Sequence, residues 1–320
     1  MLDSLVLRTN SATVRLLAPA KLNLHLRVGP PRADGFHPLL SWMCTAGLFD
    51  KLTLEPKKAD TSHAALIDLT CDWADLPCDQ RNLVVRVTSS WAETCRQQNA
   101  GREIRPLRAR LQKNIPMGAG LGGGSSDGAK ALLGANELWR TGGSRQQLAE
   151  FAAQFGSDLP FFFFGPNSVC RSRGEVVEPI ARPTPRWAML VLPEIQMPTP
   201  DVYRRFDAMS LGRLQDVQQE PQWNQWSKLG ASELLRHLVN DLEAPAFAIA
   251  PQLGELREAI ERELGRPVRM SGSGSSLFTL FDEEQEAREA KEKIAQVQLP
   301  KVKFVVAALA PDVVDDLSNA

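Results

Sequence analysis

The sequence predicts an α+β protein in two parts, with strands and helices segregated rather than alternating as in a doubly wound sheet. Three observations carry that expectation. Leu22, Leu24, Leu26 and Val28 alternate with Lys21, Asn23, His25 and Arg27, the period-two pattern of a half-buried strand with Lys21 and Asn23 on one face. A glycine-dense loop, residues 116–126, joins a strand pattern to a helix pattern. Composition shifts near Pro179–Pro185 and divides the 320 residues into 1–182 and 183–320, two parts of ordinary domain size.

The elements follow in order. Pro30 to Gly35 reads as a turn after the first strand. Leu107, Ala109 and Leu111 alternate with Arg108, Arg110 and Gln112, a second strand. Beyond the glycine loop, Ala129, Leu132, Leu133, Leu138 and Trp139 suit a helix. Ser144 and Gln147 form a capping-box pattern ahead of Leu148, Phe151, Ala152 and Phe155, and Gly156 ends that helix. Trp187–Leu192 reads as a buried strand. Residues 207–230, polar but carrying Trp223 and Trp226, read as a loop-rich insertion. Helical patterns recur around 232–239, 253–264 and 283–295; a strand-like unit with a Gly/Ser turn spans 268–281, and 303–309 is a final strand.

Composition narrows the function classes. Thirty-seven basic residues against 38 acidic ones leave no global field for nucleic acid or an acidic membrane. No apolar run approaches the ~20 residues that span a bilayer, and the N-terminus lacks a signal-peptide pattern. The five cysteines form no C-x-x-C pair and the four histidines lack metal-ligand spacing, so the expectation is free thiols, no protein-built metal site and a cytoplasmic setting.

The informative element is Pro116-Met117-Gly118-Ala119-Gly120-Leu121-Gly122-Gly123-Gly124-Ser125-Ser126. Glycines admit positive φ and bring amides close to a ligand, and the helix that follows offers unpaired N–H groups and a positive dipole end. Together these predict an anion site, most naturally for phosphates. The P-loop pattern fails, because Ser125 follows Gly124 where lysine is needed. G-x-G-x-x-G matches formally at Gly118, Gly120 and Gly123, but Glu137, the nearest acidic residue at the required distance, sits inside the helix rather than at a strand end. Protein-kinase motifs are missing. Asp127 reads as a helix-dipole partner pointing away from the phosphates.

The loop closely resembles the ATP-binding motif of the GHMP kinases. Pro19-Ala-Lys-Leu-Asn-Leu24 resembles that family's first motif and Ser271-Gly-Ser-Gly-Ser-Ser276 its third, so the likeness runs over nearly the whole chain. The segments 32–37, 156–161, 198–203 and 240–243 resemble the branch acting on a cytidine-diphosphate-linked methylerythritol in non-mevalonate isoprenoid synthesis. The resemblance implies a ribosomal-protein-S5-like N-terminal domain, a ferredoxin-like C-terminal domain, and transfer of the ATP γ-phosphate, with Mg²⁺, to the erythritol 2-hydroxyl. It implies a small-molecule substrate carrying cytidine diphosphate, and neither nucleic acid nor membrane as partner.

The same resemblance places the catalytic aspartate on Asp158, which by itself reads as a helix N-cap. It sets Lys21, by itself a solvated strand lysine, against that carboxylate, where a cation within ~4–6 Å favours the ionised form. Asn23 is a supporting hydrogen-bond candidate. Phe36 and Tyr203 correspond to rings that hold the cytidine, and His37 to a contact on the cytosine edge. Tyr203 follows Pro-Thr-Pro, read as a rigid turn. Gly272, Ser273 and Gly274 are expected to approach the substrate phosphates through backbone amides. Ser172 stands where relatives usually carry glycine, which puts the local turn geometry in question. Two alternatives stay open: a GHMP kinase for homoserine, mevalonate or a sugar, and a nucleotide-binding regulator without catalysis. The pair Phe36-His37 with Tyr203 discriminates against the first, the pair Lys21 and Asp158 against the second.

Overall fold

A computed structural model describes residues 13–57, 65–99, 103–184 and 186–317. The first part runs β1 (Val14–Val28), β2 (Leu39–Pro56), β3 (Ile67–Cys71), α1 (Leu83–Gln98), β4 (Leu107–Gln112), α2 (Gly123–Leu138), α3 (Arg145–Ala152), α4 (Phe161–Phe164), β5 (Asn167–Ser172) and β6 (Val176–Pro179). The second runs β7 (Trp187–Pro193), α5 (Thr199–Ala208), α6 (Leu214–Gln218), α7 (Trp223–Trp226), α8 (Ala231–His237), α9 (Glu243–Ile249), α10 (Pro251–Leu264), β8 (Arg269–Met270), β9 (Leu277–Phe281), α11 (Glu284–Ala295) and β10 (Val302–Ala308). Each part carries its own sheet with helices packed against it, so the α+β expectation holds. Among the described residues, no helix is long and apolar enough to cross a membrane.

In the first sheet the order is β3-β4-β2-β5-β6, and β1 pairs with β2 along its whole length. Strand β2 is long enough to share its other edge between β4, at residues 51–56, and β5, at residues 39–44. In the second sheet the order is β10-β7-β9-β8, all antiparallel. With helices between β7 and β8 and α11 between β9 and β10, this is the split β-α-β-β-α-β arrangement of a ferredoxin-like domain.

Three apolar clusters stack across the molecule. Leu52, Leu54 and Leu111 meet α1 and α2 through Val84, Val87 and Leu132. Leu22, Leu24 and Trp42 of the first sheet meet Leu190, Phe278 and Leu280 of the second. Met189 and Val191 meet Phe206, Leu253 and Ile260 on the far side. The middle cluster makes the junction between the two sheets a dry core rather than a wet hinge.

Strand β1 is therefore buried on both faces, not half-buried. Lys21, Asn23 and His25 are each about 3% exposed, because residues 122 and 272 close over Lys21 and Asn23 and the rings of Trp223 and Trp226 cover His25. Residues 207–230 are loop-rich, with more than half of them outside helices. They hold α6 and α7, and Trp223 lies 5.8 Å from the Trp42 ring and 5.7 Å from His25. Their polar composition belongs to the outer surface of a clamp whose inner side is aromatic. Ser144 and Gln147 form the complete capping box of α3. Ser172 adopts φ +64°, a left-handed conformation that explains why glycine suits this turn.

The C-terminal tail returns to β1. Asp315 pairs with Lys130 of α2 at 2.9 Å and accepts the Leu17 amide at 3.4 Å, with its side chain nearly buried. Burial pushes the Asp315 carboxyl up, but the hydrogen bond and charge of Lys130 outweigh it and hold the group below the usual aspartate value. Asp315→Ala should cost about 2–3 kcal/mol at pH 7, since a nearly buried lysine loses its partner. The depressed native value means the contribution is present at neutral pH and fades as pH falls below that of an unfolded aspartate. Urea unfolding of both proteins at pH 7 and pH 3 should show the gap shrinking in acid.

Candidate active site

The glycine loop leaves β4 and winds into the head of α2. Gly118, Gly120 and Gly122 all have positive φ (+63°, +74° and +66°), so the loop needs glycine for its path as well as for close approach. The first intrahelical bond of α2 runs from the Ser126 amide to the Gly122 carbonyl. The amides of Gly123, Gly124 and Ser125 therefore point out of the helix end, into a cleft of about 500 Å³. Ser126 differs from its neighbours. Its amide is used within the helix and its side chain is fully buried, so it offers the cleft no donor.

Three separate segments are laced together here. The Lys21 amide donates to the Leu121 carbonyl at 2.9 Å, and the Asn23 amide to Ser271 Oγ at 3.2 Å. Ser271 Oγ donates to the Gly120 carbonyl at 3.0 Å, and the Ser276 amide to the Ala119 carbonyl at 3.0 Å. A Cβ on Gly120 would lie 2.1 Å from the Ser271 carbonyl oxygen, and one on Gly122 2.9 Å from Lys21 Cγ. The first and third sequence motifs and the glycine loop thus meet by main-chain contact that a larger residue would prevent.

Lys21 reaches into this junction. Its ammonium donates to Asn23 Oδ1 and stands 3.7 Å from Asp158 Oδ2. Asn23 Nδ2 donates to Ser41 Oγ at 2.8 Å, which fixes the amide and so the lysine. Far from being solvated, Lys21 is covered by Gly122 on one side and Gly272 on the other. Asp158 lies in the turn before α4, whose N-cap is Pro160, so its carboxylate caps no helix. It keeps a side chain 35% exposed, open to the cleft. A cation and a carboxylate held side by side, one buried and one accessible, suit proton abstraction from a hydroxyl beside a developing negative charge.

Tyr203 and Ser273 line the same cleft, and Gly272 approaches Lys21 and Asn23 closely. Tyr203 is carried by α5, whose first turn contains Pro200, so Pro-Thr-Pro begins a helix rather than forming a rigid turn. Burial, helped by the Asp158 charge, pushes the Tyr203 phenol above its ordinary value, and it stays neutral. His37 is buried, its ring 4.9 Å from that of Tyr203, with Nε2 bound to Asp207 Oδ1 at 2.8 Å. Phe36 is exposed, with the Arg173 guanidinium 5.0 Å over its ring. Phe36, His37 and Gly274 stand outside the lining of the main cleft, and a Cβ on Gly274 would meet Met270 and Leu253 instead.

Several lining residues carry no sequence motif: Leu76, Pro77, Arg81 and Asn82 before α1, and Lys113 at the loop entrance. Asn82 has a legible signal as the N-cap of α1, accepting from the Val84 amide. Asp127 is not a dipole partner facing solvent. It is buried and paired with Lys113 at 2.8 Å. Among the described residues, no group of three His, Cys, Asp or Glu is placed to hold a metal ion, and the five cysteines are free thiols.

Comparison with known proteins agrees with this geometry. Residues 82–166 match the GHMP kinases N terminal domain, and residues 224–298 the GHMP kinases C terminal domain. Over 313 residues the chain is 35% identical to a 4-diphosphocytidyl-2-C-methyl-D-erythritol kinase of Synechococcus sp. (strain CC9605), covering 93% of this chain and 98% of that one. The chain belongs to the GHMP kinases. A second relative of this GHMP kinase, the enzyme of the same name from Desulfotalea psychrophila (strain LSv54 / DSM 12343), is 34% identical and covers 84% of this chain and 85% of its own. The crystal structure of a 4-(cytidine 5'-diphospho)-2C-methyl-D-erythritol kinase superposes with a TM-score of 0.71 at 33% identity, covering 93% of this chain and all of that one.

Two glycines of the GHMP loop should respond differently to one methyl group. At Gly118 a Cβ meets nothing within 4 Å, so Gly118→Ala should cost only the left-handed strain, roughly 1–2 kcal/mol. At Gly120 the methyl collides with backbone, and Gly120→Ala should break the interlock and lose well over that amount. Denaturant unfolding of the two variants checks the order.

Proposed function

We propose that this GHMP kinase transfers the γ-phosphate of ATP to the 2-hydroxyl of 4-diphosphocytidyl-2-C-methyl-D-erythritol, a step in isoprenoid precursor synthesis by the non-mevalonate route. The observation that carries the reading is one cleft in which a helix-head amide cradle and the Lys21–Asp158 couple share a wall. Loop conformation supports triphosphate binding, since positive φ at Gly118, Gly120 and Gly122 turns the amides outward and leaves no side chain in the way. The relatives' names support the acceptor.

In this scheme Pro116 to Ser125 hold the nucleotide, with Gly123, Gly124 and Ser125 donating to its phosphates; Ser126 supports the loop from inside. Mg²⁺ arriving with the nucleotide would neutralise phosphate charge; no cluster of three His, Cys, Asp or Glu among the described residues is placed to hold it. The substrate hydroxyl lies against Asp158. Its oxygen bonds to the γ-phosphorus, the bond to the β–γ bridging oxygen breaks, ADP leaves, and the hydroxyl proton passes to Asp158. Lys21, steadied by Asn23, stabilises charge on the attacking oxygen. Phe36 and Tyr203 hold the cytidine, His37 addresses its edge, and the 272–274 turn meets the substrate phosphates. Residues 1–182 act as the ATP-binding domain and 183–320 as the domain completing the substrate site. The setting is the cytoplasm, and neither nucleic acid nor membrane takes part.

Two measurements test the assignment. Asp158→Asn should lower kcat by ~10²–10⁴-fold while KM for ATP stays near its original value. Tyr203→Ala should raise KM for the cytidine substrate by roughly 5–150-fold, the loss of one stacking contact, and leave that for ATP almost unchanged. A coupled assay for ADP release over a panel of alcohols should give turnover with the cytidine-linked polyol and not with homoserine, mevalonate or a sugar. Turnover with one of those three instead would replace the proposed acceptor.

A further inference from the structure

Beneath the glycine loop lie three charged side chains that the reaction above leaves unused. Lys113 stands where the chain enters the loop, Asp127 one turn into α2, and Asp50 on β2. All three are buried. Lys113 Nζ donates to Asp127 Oδ2 at 2.8 Å and to Asp50 Oδ2. Asp50 Oδ1 accepts the amides of Asn114 at 2.6 Å and Ile115 at 2.9 Å, and Asp72 Oδ1 accepts the Lys113 amide at 2.9 Å. A Cβ on Gly123 would lie 3.2 Å from Lys113 Nζ, so the ammonium passes directly under the head of the helix. The lysine-to-aspartate contact therefore ties the entrance of the loop to its exit.

The charges do not cancel. Two carboxylates face one ammonium, and Asp127 Oδ1 has no hydrogen-bond partner among the described residues. Asp127 lines the same cleft as the loop. Next to Asp127, Gly128 packs on Leu83 at the start of α1 and Leu159 before α4, while Lys21 of β1, Arg81 ahead of α1 and Asp158 before α4 are the other charged groups lining this cleft. Burial pushes the Asp127 carboxyl up, Lys113 pulls it down and Asp50 pushes it up again, leaving it at about 7. For Lys113, burial pulls down, but Asp127 and Asp50 prevail and keep the ammonium charged.

We propose that Lys113, Asp50 and Asp127 are positioning residues that clasp the nucleotide loop, and that Asp127 takes a proton from solvent when a polyphosphate fills it. The inference rests on the reading that this loop holds the phosphates of ATP. A polyphosphate at the head of α2 adds negative charge beside a buried cluster already carrying an excess of one. Protonating Asp127 leaves that cluster neutral, and the clasp survives because a neutral Asp127 still accepts from the Lys113 ammonium, whose charge stays balanced by Asp50. The direction follows: nucleotide binds best when Asp127 is neutral, so affinity falls as pH rises through the neutral range. Asp127→Asn keeps the shape, removes the excess charge at every pH, and abolishes the dependence.

Titration calorimetry with ADP and Mg²⁺ at pH 7.5, in HEPES and in Tris, reads the proton directly. Uptake by the wild type should exceed that by Asp127→Asn by about half a proton per ADP. Between pH 6.5 and 9 the wild-type Kd should rise roughly tenfold, matching a tenfold tighter hold on the Asp127 proton in the complex, and that of the variant should stay flat. Equal proton counts and parallel pH profiles would overturn the inference while leaving the loop as a nucleotide site. Should the variant not fold, the wild type decides alone: no uptake and a flat Kd refute it. Absence of any ADP binding would remove the nucleotide reading, and this inference with it.

Discussion

The outer edge of β1 is the constraint on which the rest of the molecule depends. One edge of the strand is paired throughout with β2. On the other, alternate amides point away from the sheet and must find acceptors if they are to be buried. The amides of Arg15 and Leu17 go to Asp316 and Asp315 of the tail, Lys21 to the glycine loop, and Asn23 to Ser271. Leu26 goes to Val239, and Val28 to the Asp241 carboxylate. Pro19 falls on this edge where it has no N–H to place. An irregularity between Asn23 and His25 shifts the set of outward amides from odd to even positions. Among the described residues no continuous strand completes the sheet here; separate segments from both parts of the chain do it.

That piecewise closure explains where the site lies. The glycine loop and the 271–276 turn take adjoining stretches of one strand edge, the loop through a main-chain bond from Lys21 itself and the turn through the Asn23 amide on Ser271 Oγ. Glycine at 120 and 122 is what allows the approach. Because Leu22 and Leu24 of the same strand also anchor the core between the two sheets, the site is braced by the most buried part of the molecule. The arrangement suits phosphoryl transfer, in which fixed geometry does most of the work.

Much of this was legible in the sequence. The period-two alternation located β1 and β4, the capping box fixed the start of α3, and the glycine density marked the loop that lines the cleft. What escaped notice did so for physical reasons. Strand β2 is apolar on both sides through much of its length, so its alternation is erased. Helix α1 opens with Leu83-Val84-Val85, which reads equally as strand, and only Asn82 betrays the cap. Lys21 and Asp127 look like surface charges because nothing local records the segments that bury them. Tyr203 was singled out through resemblance and lines the cleft, but its place on a helix depends on reading Pro200 as a first-turn proline. The aromatic clamp at 223–226 was hidden by polar residues facing solvent.

A crystal structure with the β,γ-imido analogue of ATP tests the central claim most directly, that the head of α2 aims a terminal phosphate at the lysine–aspartate couple. The account predicts β- and γ-phosphate oxygens within hydrogen-bond reach of the Gly123, Gly124 and Ser125 amides, with the γ-phosphorus facing Lys21 and Asp158. A triphosphate seated in another cleft, or one whose γ-phosphate points away from those two side chains, would contradict it.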